Sequence, residues 1–304
     1  MWATCWRPGA PGTGADDSPH SATVIAIAGG LGAACSWAIA TLSSSRSSRM
    51  IGAFSVLAWV MAVGFLVSVP LALVTPATGV GPVQVAGLVV VGLAYNAGLL
   101  LAYAALTIGR VSIVAPVIAT EGAAAALISI ALGESISPAM AVVLGVIAVG
   151  VILAAAERST PAGRDPHTLR TIVLSLAASA TFSVGLVVAG RLSQSVPPIW
   201  VVAASRIVGV LILALPLLLL RRLRLSRRAA PLVVLSGILE AVGSALYVIA
   251  AKDGVAAAAV LSSQFAAIAA VGAFIAFGER LQRIQLAGVA LIAVGVTALA
   301  AVRA

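Results

Sequence analysis

The chain has 304 residues, 62% hydrophobic and 9% charged, with a mean hydropathy of +1.17. Soluble domains carry about 25% charged residues, so a fold wetted on all sides is excluded and a bilayer is the solvent that fits. The formal charge is +9, from 18 basic and 9 acidic residues, but the arginines sit in short gaps between apolar runs rather than on an amphipathic face with interleaved aromatics, which argues against nucleic acid as a partner.

In chain order, residues 1–21 are rich in Gly, Pro, Ala, Ser and Asp and have no apolar core of a signal peptide. They read as a disordered tail. A spanning helix needs about 20 mostly apolar residues, and the rest of the chain divides into such segments. The expected spans are 22–42, 53–74, 83–106, 111–132, 136–156, 169–190, 197–220, 231–251, 255–277 and 283–302. Turn and charge signals separate them, among them Thr75-Pro76, Val196-Pro197-Pro198 and Lys252-Asp253-Gly254. Strands fit poorly, because period-2 alternation is missing and Ala and Leu dominate. Small residues four apart recur, as in Gly32/Ser36, Gly98/Ala102 and Gly122/Ala126, which suits close helix packing in lipid.

The chain repeats itself. The segment 131–135 (ALGES) resembles 276–280 (AFGER), and IAVGV at 147–151 returns at 292–296, both at an offset of 145 residues. Tyr103 pairs with Tyr247 at an offset of 144, and Pro70 with Pro216 more loosely. The expected organisation is therefore a tail (1–21), a first five-helix repeat (22–156), a linker loop (157–168) and a second five-helix repeat (169–304). An odd number of helices per copy makes the second copy enter the membrane from the opposite side, so the fold class is all-α integral membrane, about ten transmembrane helices in two inverted repeats.

Each half closes on one pattern. Gly133-Glu134 precedes the helix from Gly145 to Val151, and Gly278-Glu279-Arg280-Leu281 precedes Gln285, Gly288 and Gly295, while Arg206 stands in the seventh span. This arrangement resembles the EamA-type transporters of the drug/metabolite transporter superfamily over about residues 22–302. The resemblance implies two homologous halves, each with a Gly-Glu turn between its fourth and fifth helices, and a membrane transporter with cytoplasmic termini. There is a departure: where the family often carries a Pro upstream of each glutamate, this chain has Gly122 and Ala266. The family handles amino acids, other metabolites and toxic compounds, so the resemblance does not name a substrate.

Ionisable groups deep in a membrane helix cost about 2.5–3.5 kcal/mol on insertion scales and are functional candidates by default. Glu121 in the fourth span, Arg206 in the seventh and Glu240 in the eighth qualify; the competing reading is a structural ion pair. Glu240, Ser244 and Tyr247 stand at i, i+4 and i+7, hence on one face. Asn96 and Tyr103 repeat that spacing in the third span, so the two faces are expected to meet at a shared cavity. Gln264, with Ser262, Ser263 and Thr120, is expected to complete its wall. For Tyr247 a place in the interfacial belt or core is an equal reading. Glu134 and Glu279 read as caps of the following helix or partners of nearby arginines, and Trp37, Trp59 and Trp200 as packing or interface anchors. The cluster Arg221, Arg222, Arg224, Arg227 and Arg228 reads as a topology signal more than an anionic-lipid site.

No catalytic or metal site and no cofactor are expected. Cys5 and Cys35 have no metal spacing, His20 and His167 lie in tail and loop, and neither a Ser-His pairing nor a phosphate loop occurs. The reading is a secondary transporter in the plasma membrane, an exporter of a small polar or amphipathic solute by alternating access, with proton coupling through a glutamate as an option. Its partners are the solute and membrane lipid. The alternatives are a membrane scaffold, sensor or lipid-handling protein, and an intramembrane enzyme. Ten spans put both termini on one side. Loop charge places Arg7, Arg191, Lys252 and Arg303 there against thirteen basic residues opposite, which by the positive-inside rule puts the termini outside and opposes the orientation that the resemblance implies.

Overall fold

The computed structural model describes residues 19–109, 111–155 and 166–277, with scattered helical residues between 283 and 298. The helices are α1 (Pro19–Ile51), α2 (Ala53–Leu73), α3 (Pro82–Ile108), α4 (Val111–Ala131), α5 (Pro138–Ala155) and α6 (Pro166–Leu192). They continue with α7 (Pro198–Leu219), which includes a π turn at Val210–Ala214, then α8 (Ala230–Ala250), α9 (Val255–Ser262) and α10 (Phe265–Phe277). Among the described residues six helices are long and apolar enough to cross a bilayer, and three shorter apolar helices accompany them. Most of the expected tail, of the linker 157–168 and of the tenth span, with Glu279, lies outside the described residues.

The bundle buries its polar side chains among an apolar core and exposes other apolar ones. Leu66, Leu73, Val74, Leu169 and Leu219 are exposed, while Asn96, Glu121, Arg206, Glu240 and a set of serines are buried. Lipid suits the first group; the polar atoms of the second depend on partners within the protein or in its cavity. α1 packs along α8 and α3 along α6; α2 lies against α7, and α4 against α6 and α9.

Three boundaries differ from the sequence reading. The first span does not stop at 42, because α1 runs on through its serines to Ile51. Their hydroxyls are satisfied by the protein: Ser47 Oγ donates to the Ser43 carbonyl at 3.0 Å and Ser44 Oγ to Ser236 Oγ of α8 at 3.0 Å. A stretch that hydropathy reads as a loop is therefore a buried helix end. The ninth span is two helices rather than one, broken at Ser263-Gln264. Ser262 and Ser263 turn their hydroxyls back onto the carbonyls of Ala259 and Val260, at 3.1 and 2.8 Å, a contact that bends helices. The sixth helix begins at Pro166, inside the expected linker.

The Gly-Glu turn ends α4. Gly133 takes a φ of 97°, which only glycine adopts freely, and the Glu134 amide closes onto the Ser129 carbonyl at 3.0 Å. The Glu134 carboxylate does not cap the helix after the turn. It accepts from the Ala256 amide at 3.1 and 3.3 Å, at the start of α9 in the other half of the chain. Orphan amides and the positive helix end both favour an anion there.

Gly122 lets α4 touch the break between α9 and α10. A Cβ built on it falls 2.5 Å from Ser263 Cβ, closer than packed atoms tolerate. Gly122→Leu is expected to lower the thermal midpoint of the detergent-purified protein, by an overpacking cost of about 1–3 kcal/mol. Gly145→Ala, whose Cβ meets nothing within 4 Å, is expected to leave the midpoint unchanged or slightly raised; thermal unfolding of both variants checks this.

Candidate functional site

A cavity opens where α1, α3, α4, α6, α7 and α8 converge, with Phe265 at the start of α10 in its wall. Its total empty space, mouth included, is about 850 Å³. The α8 face expected from helical spacing lies in this wall: Glu240, Ser244 and Tyr247 all line it, as does Tyr103 of α3. Glu121 reaches it from α4. Tyr247 is buried, and its hydroxyl donates to the Leu186 carbonyl of α6 at 2.8 Å, so it is not an interfacial residue.

Arg206 sits behind the wall and is fully buried. Its Nη2 donates to the Glu240 main-chain carbonyl at 2.8 Å and to Ser244 Oγ at 3.0 Å. The guanidinium carbon lies 4.7 Å from the centre of the Tyr95 ring, a cation–π arrangement. Its Nη1 meets Met61 Sδ at 3.7 Å. The carboxylate of Glu240 is held by another group, the Tyr95 hydroxyl, which donates to Oε2. Ser244 Oγ, 3.1 Å from the Tyr95 oxygen, completes a knot of four side chains from α3, α7 and α8. Arg206 and Glu240 are thus joined through the Glu240 carbonyl and through Tyr95.

Glu121 has no such support. It is 4% exposed, and its Oε2 has no hydrogen-bond partner among the described residues. Across the cavity, Trp37 of α1 is 8% exposed, its Nε1 also lacks a partner among those residues, and its ring lies 6.1 Å from that of Tyr247. Trp59 and Trp200 differ: each indole N–H donates to a loop carbonyl, Arg224 at 3.0 Å and Thr75 at 3.1 Å.

Five expected wall residues, Asn96, Thr120, Ser262, Ser263 and Gln264, do not line the cavity. Asn96 is buried beside the cavity, where its Nδ2 donates to Gly92 and Ser205 carbonyls at 2.8 and 2.9 Å and ties α3 to α7. It falls just past the edge of the helical stripe that faces the cavity, and its place is taken by Tyr95. Gln264 is buried in the break between α9 and α10, with Nε2 unpartnered among the described residues, and does not line the cavity. Ser262 and Ser263 bond their own helix, and Thr120 bonds Ser179 of α6 at 2.8 Å. Tyr95 is the functional candidate that sequence reasoning missed. The signal was present: the offset of 145 shared by both repeat matches carries Tyr95 onto Glu240, whereas the offset of 144 brought in Asn96.

Among the described residues no group of three or more His, Cys, Asp or Glu is placed to hold a metal ion. Apolar helices long enough to span a bilayer, packed around a cavity with buried acids, define a multi-pass membrane protein. The sequence pattern of the EamA-like transporter family matches residues 24–156 and again 169–301, and the chain belongs to that family, whose members are membrane transporters of small solutes and not enzymes. A crystal structure of another protein has the same fold, with a TM-score of 0.68 and 23% identity over 92% of this chain and 96% of that one. No curated protein matches the chain.

Removing Arg206 strands the Glu240 carboxylate in the bundle. Breaking a buried pair by deleting one partner costs about 3–5 kcal/mol. Arg206→Ala is expected to show that loss in thermal unfolding, and Glu240→Gln added to it is expected to restore part of the loss. A double-mutant cycle measures the coupling; additive effects would mean that the two groups do not interact.

Proposed function

We propose that this transporter is secondary and exports a small polar or amphipathic solute across the plasma membrane by alternating access. The observation that carries the reading is the cavity itself, which receives one buried carboxylate from each half of the chain, Glu121 and Glu240. The moving parts are two inverted five-helix halves, 22–156 and 169–304. Reciprocal packing supports them: α1 on α8 in one direction is matched by α6 on α3 in the other. The Glu134 contact with the start of α9 joins the two halves at one end of the bundle and would have to part when they rock.

The solute is bound by Glu121, Glu240, Tyr95, Tyr103, Ser244 and Tyr247. Arg206 acts as a positioning residue through Glu240 and Ser244, and Asn96 and Gln264 through the packing of α7 and α9. Protonation of a cavity glutamate removes its charge from the membrane interior, and a state-dependent preference for that neutral form couples transport to the proton gradient. Counterflow of labelled solute in proteoliposomes tests the reading, and its dependence on an imposed pH gradient tests the coupling.

Glu121→Gln and Glu240→Gln are expected to reduce transport at least about tenfold at equal membrane levels, the loss that one missing charge-assisted contact produces. Glu134→Gln is expected to reduce it less, because the amide oxygen still accepts from Ala256. Wild-type rates in both cavity variants would remove those glutamates from the mechanism.

Both termini are proposed to lie on the cytoplasmic side, against the loop charge tally. A reporter active only outside the cytoplasm, fused at Ala304 and separately after Ser226, is expected to be silent at the first position and active at the second. The opposite pattern would mean that loop charge sets the orientation.

A further inference from the structure

We propose that the cavity takes a singly charged organic cation, an ammonium group carried on an apolar body, with Glu121 as its counter-ion. Only the fate of the bound solute rests on the transporter reading; the site itself is argued from its walls.

Three observations carry it. First, the charges in and behind the wall leave one carboxylate unmatched. Glu240 has the Arg206 guanidinium beside it, bridged by Tyr95 and by its own carbonyl. Glu121 has no cationic partner among the described residues, and no side chain lining the cavity is cationic. One positive charge on the solute balances the set, whereas an anionic solute would meet two carboxylates with the arginine held behind the wall.

Second, the unpartnered atom belongs to a side chain more than nine-tenths buried at the cavity. Glu121 Oε2 has no donor among the described residues, and Gly122 beside it lets α4 close on Ser263, whose hydroxyl donates to the Val260 carbonyl. An acid in a membrane interior is stable when protonated or when a cation stands against it, and an ammonium supplies both a charge and, unless fully substituted, N–H donors.

Third, the rest of the wall suits the body of such a solute. Trp37, Tyr103, Phe182, Tyr247 and Phe265 present rings, and ring faces attract ammonium groups as well as apolar surface. The Trp37 and Tyr247 rings are neighbours in that wall, 6.1 Å apart and tilted by 33°.

The test uses the full-length protein in detergent and three probes of similar size: benzyltrimethylammonium, which is charged at every pH, benzyl alcohol and benzoate. Calorimetric titration is expected to show saturable binding of the cation, at least about tenfold tighter than that of the neutral or anionic probe. Glu121→Gln is expected to weaken cation binding about tenfold or more, and Glu134→Gln to leave it as in the unaltered chain. Benzoate or benzyl alcohol binding as tightly as the cation would overturn the assignment, as would absence of saturable cation binding at millimolar concentration. The comparison of charges needs no variant, so a misfolded Glu121→Gln does not protect the proposal. Labelled benzyltrimethylammonium in proteoliposomes separates the two readings. Binding without counterflow keeps the site and removes transport of this class, whereas counterflow of an anionic solute by a protein that ignores the cation keeps the transporter and removes the cation site.

Discussion

A guanidinium in the middle of a lipid-facing bundle has to be solvated by protein, and the packing of α2, α3, α7 and α8 depends on how Arg206 is accommodated. Its stem lies against Gly64 of α2, where an added Cβ would sit 2.9 Å from both Cδ and Nε. Its head reaches the Glu240 carbonyl and Ser244 on α8, with the Tyr95 ring of α3 against its face. These contacts come from three helices besides its own, so the charge ties four of them at one depth. The Glu240 carbonyl also accepts from Ser244 Oγ at 2.7 Å, so serine and arginine converge on one oxygen.

That arrangement also sets the chemistry of the cavity. With the arginine held behind the wall and Tyr95 donating to Glu240, the second-half carboxylate is fixed in place. The first-half carboxylate, Glu121, lies on a helix whose polar neighbours are otherwise engaged: Thr120 with Ser179, and Ser183 with the Glu121 carbonyl at 3.1 Å. Glu240 is built into the scaffold through Tyr95, whereas Glu121 Oε2 has no partner among the described residues. Helical irregularities flank both. The π turn Val210–Ala214 begins a turn beyond Arg206, and the break at Ser263-Gln264 faces Gly122. Such features recur at functional sites because they free main-chain groups and allow a helix to change direction.

Membership in the EamA-like family and the buried cavity acids agree on transport, but they are independent arguments. The family resemblance is carried by patterns at the ends of the halves, in which Gly133 and Glu134 have a mechanical role. The glycine makes the turn and the glutamate caps α9 across the chain. The cavity residues lie elsewhere, and their polar groups differ between the halves: Tyr95 and Tyr103 from α3 stand against Glu240, Ser244 and Tyr247 from α8.

The sequence by itself determined the solvent, the helices, the duplication and the α8 face. Each of these depends on composition or on spacing along one segment: hydropathy selects the bilayer, and a period of 3.6 residues places Glu240, Ser244 and Tyr247 together. Tertiary structure alone decided which neighbour each polar group meets. The serines that lengthen α1 are legible only once α8 offers Ser236; Glu134 finds its amide on α9 rather than on the next helix in the chain. Asn96 and Tyr95 are adjacent in sequence, yet one ties α3 to α7 while the other holds the carboxylate in the cavity. The physical reason is common to all of them. In a bundle surrounded by lipid, the role of a buried polar side chain is set by the partner it meets, and that partner often comes from a helix distant in sequence.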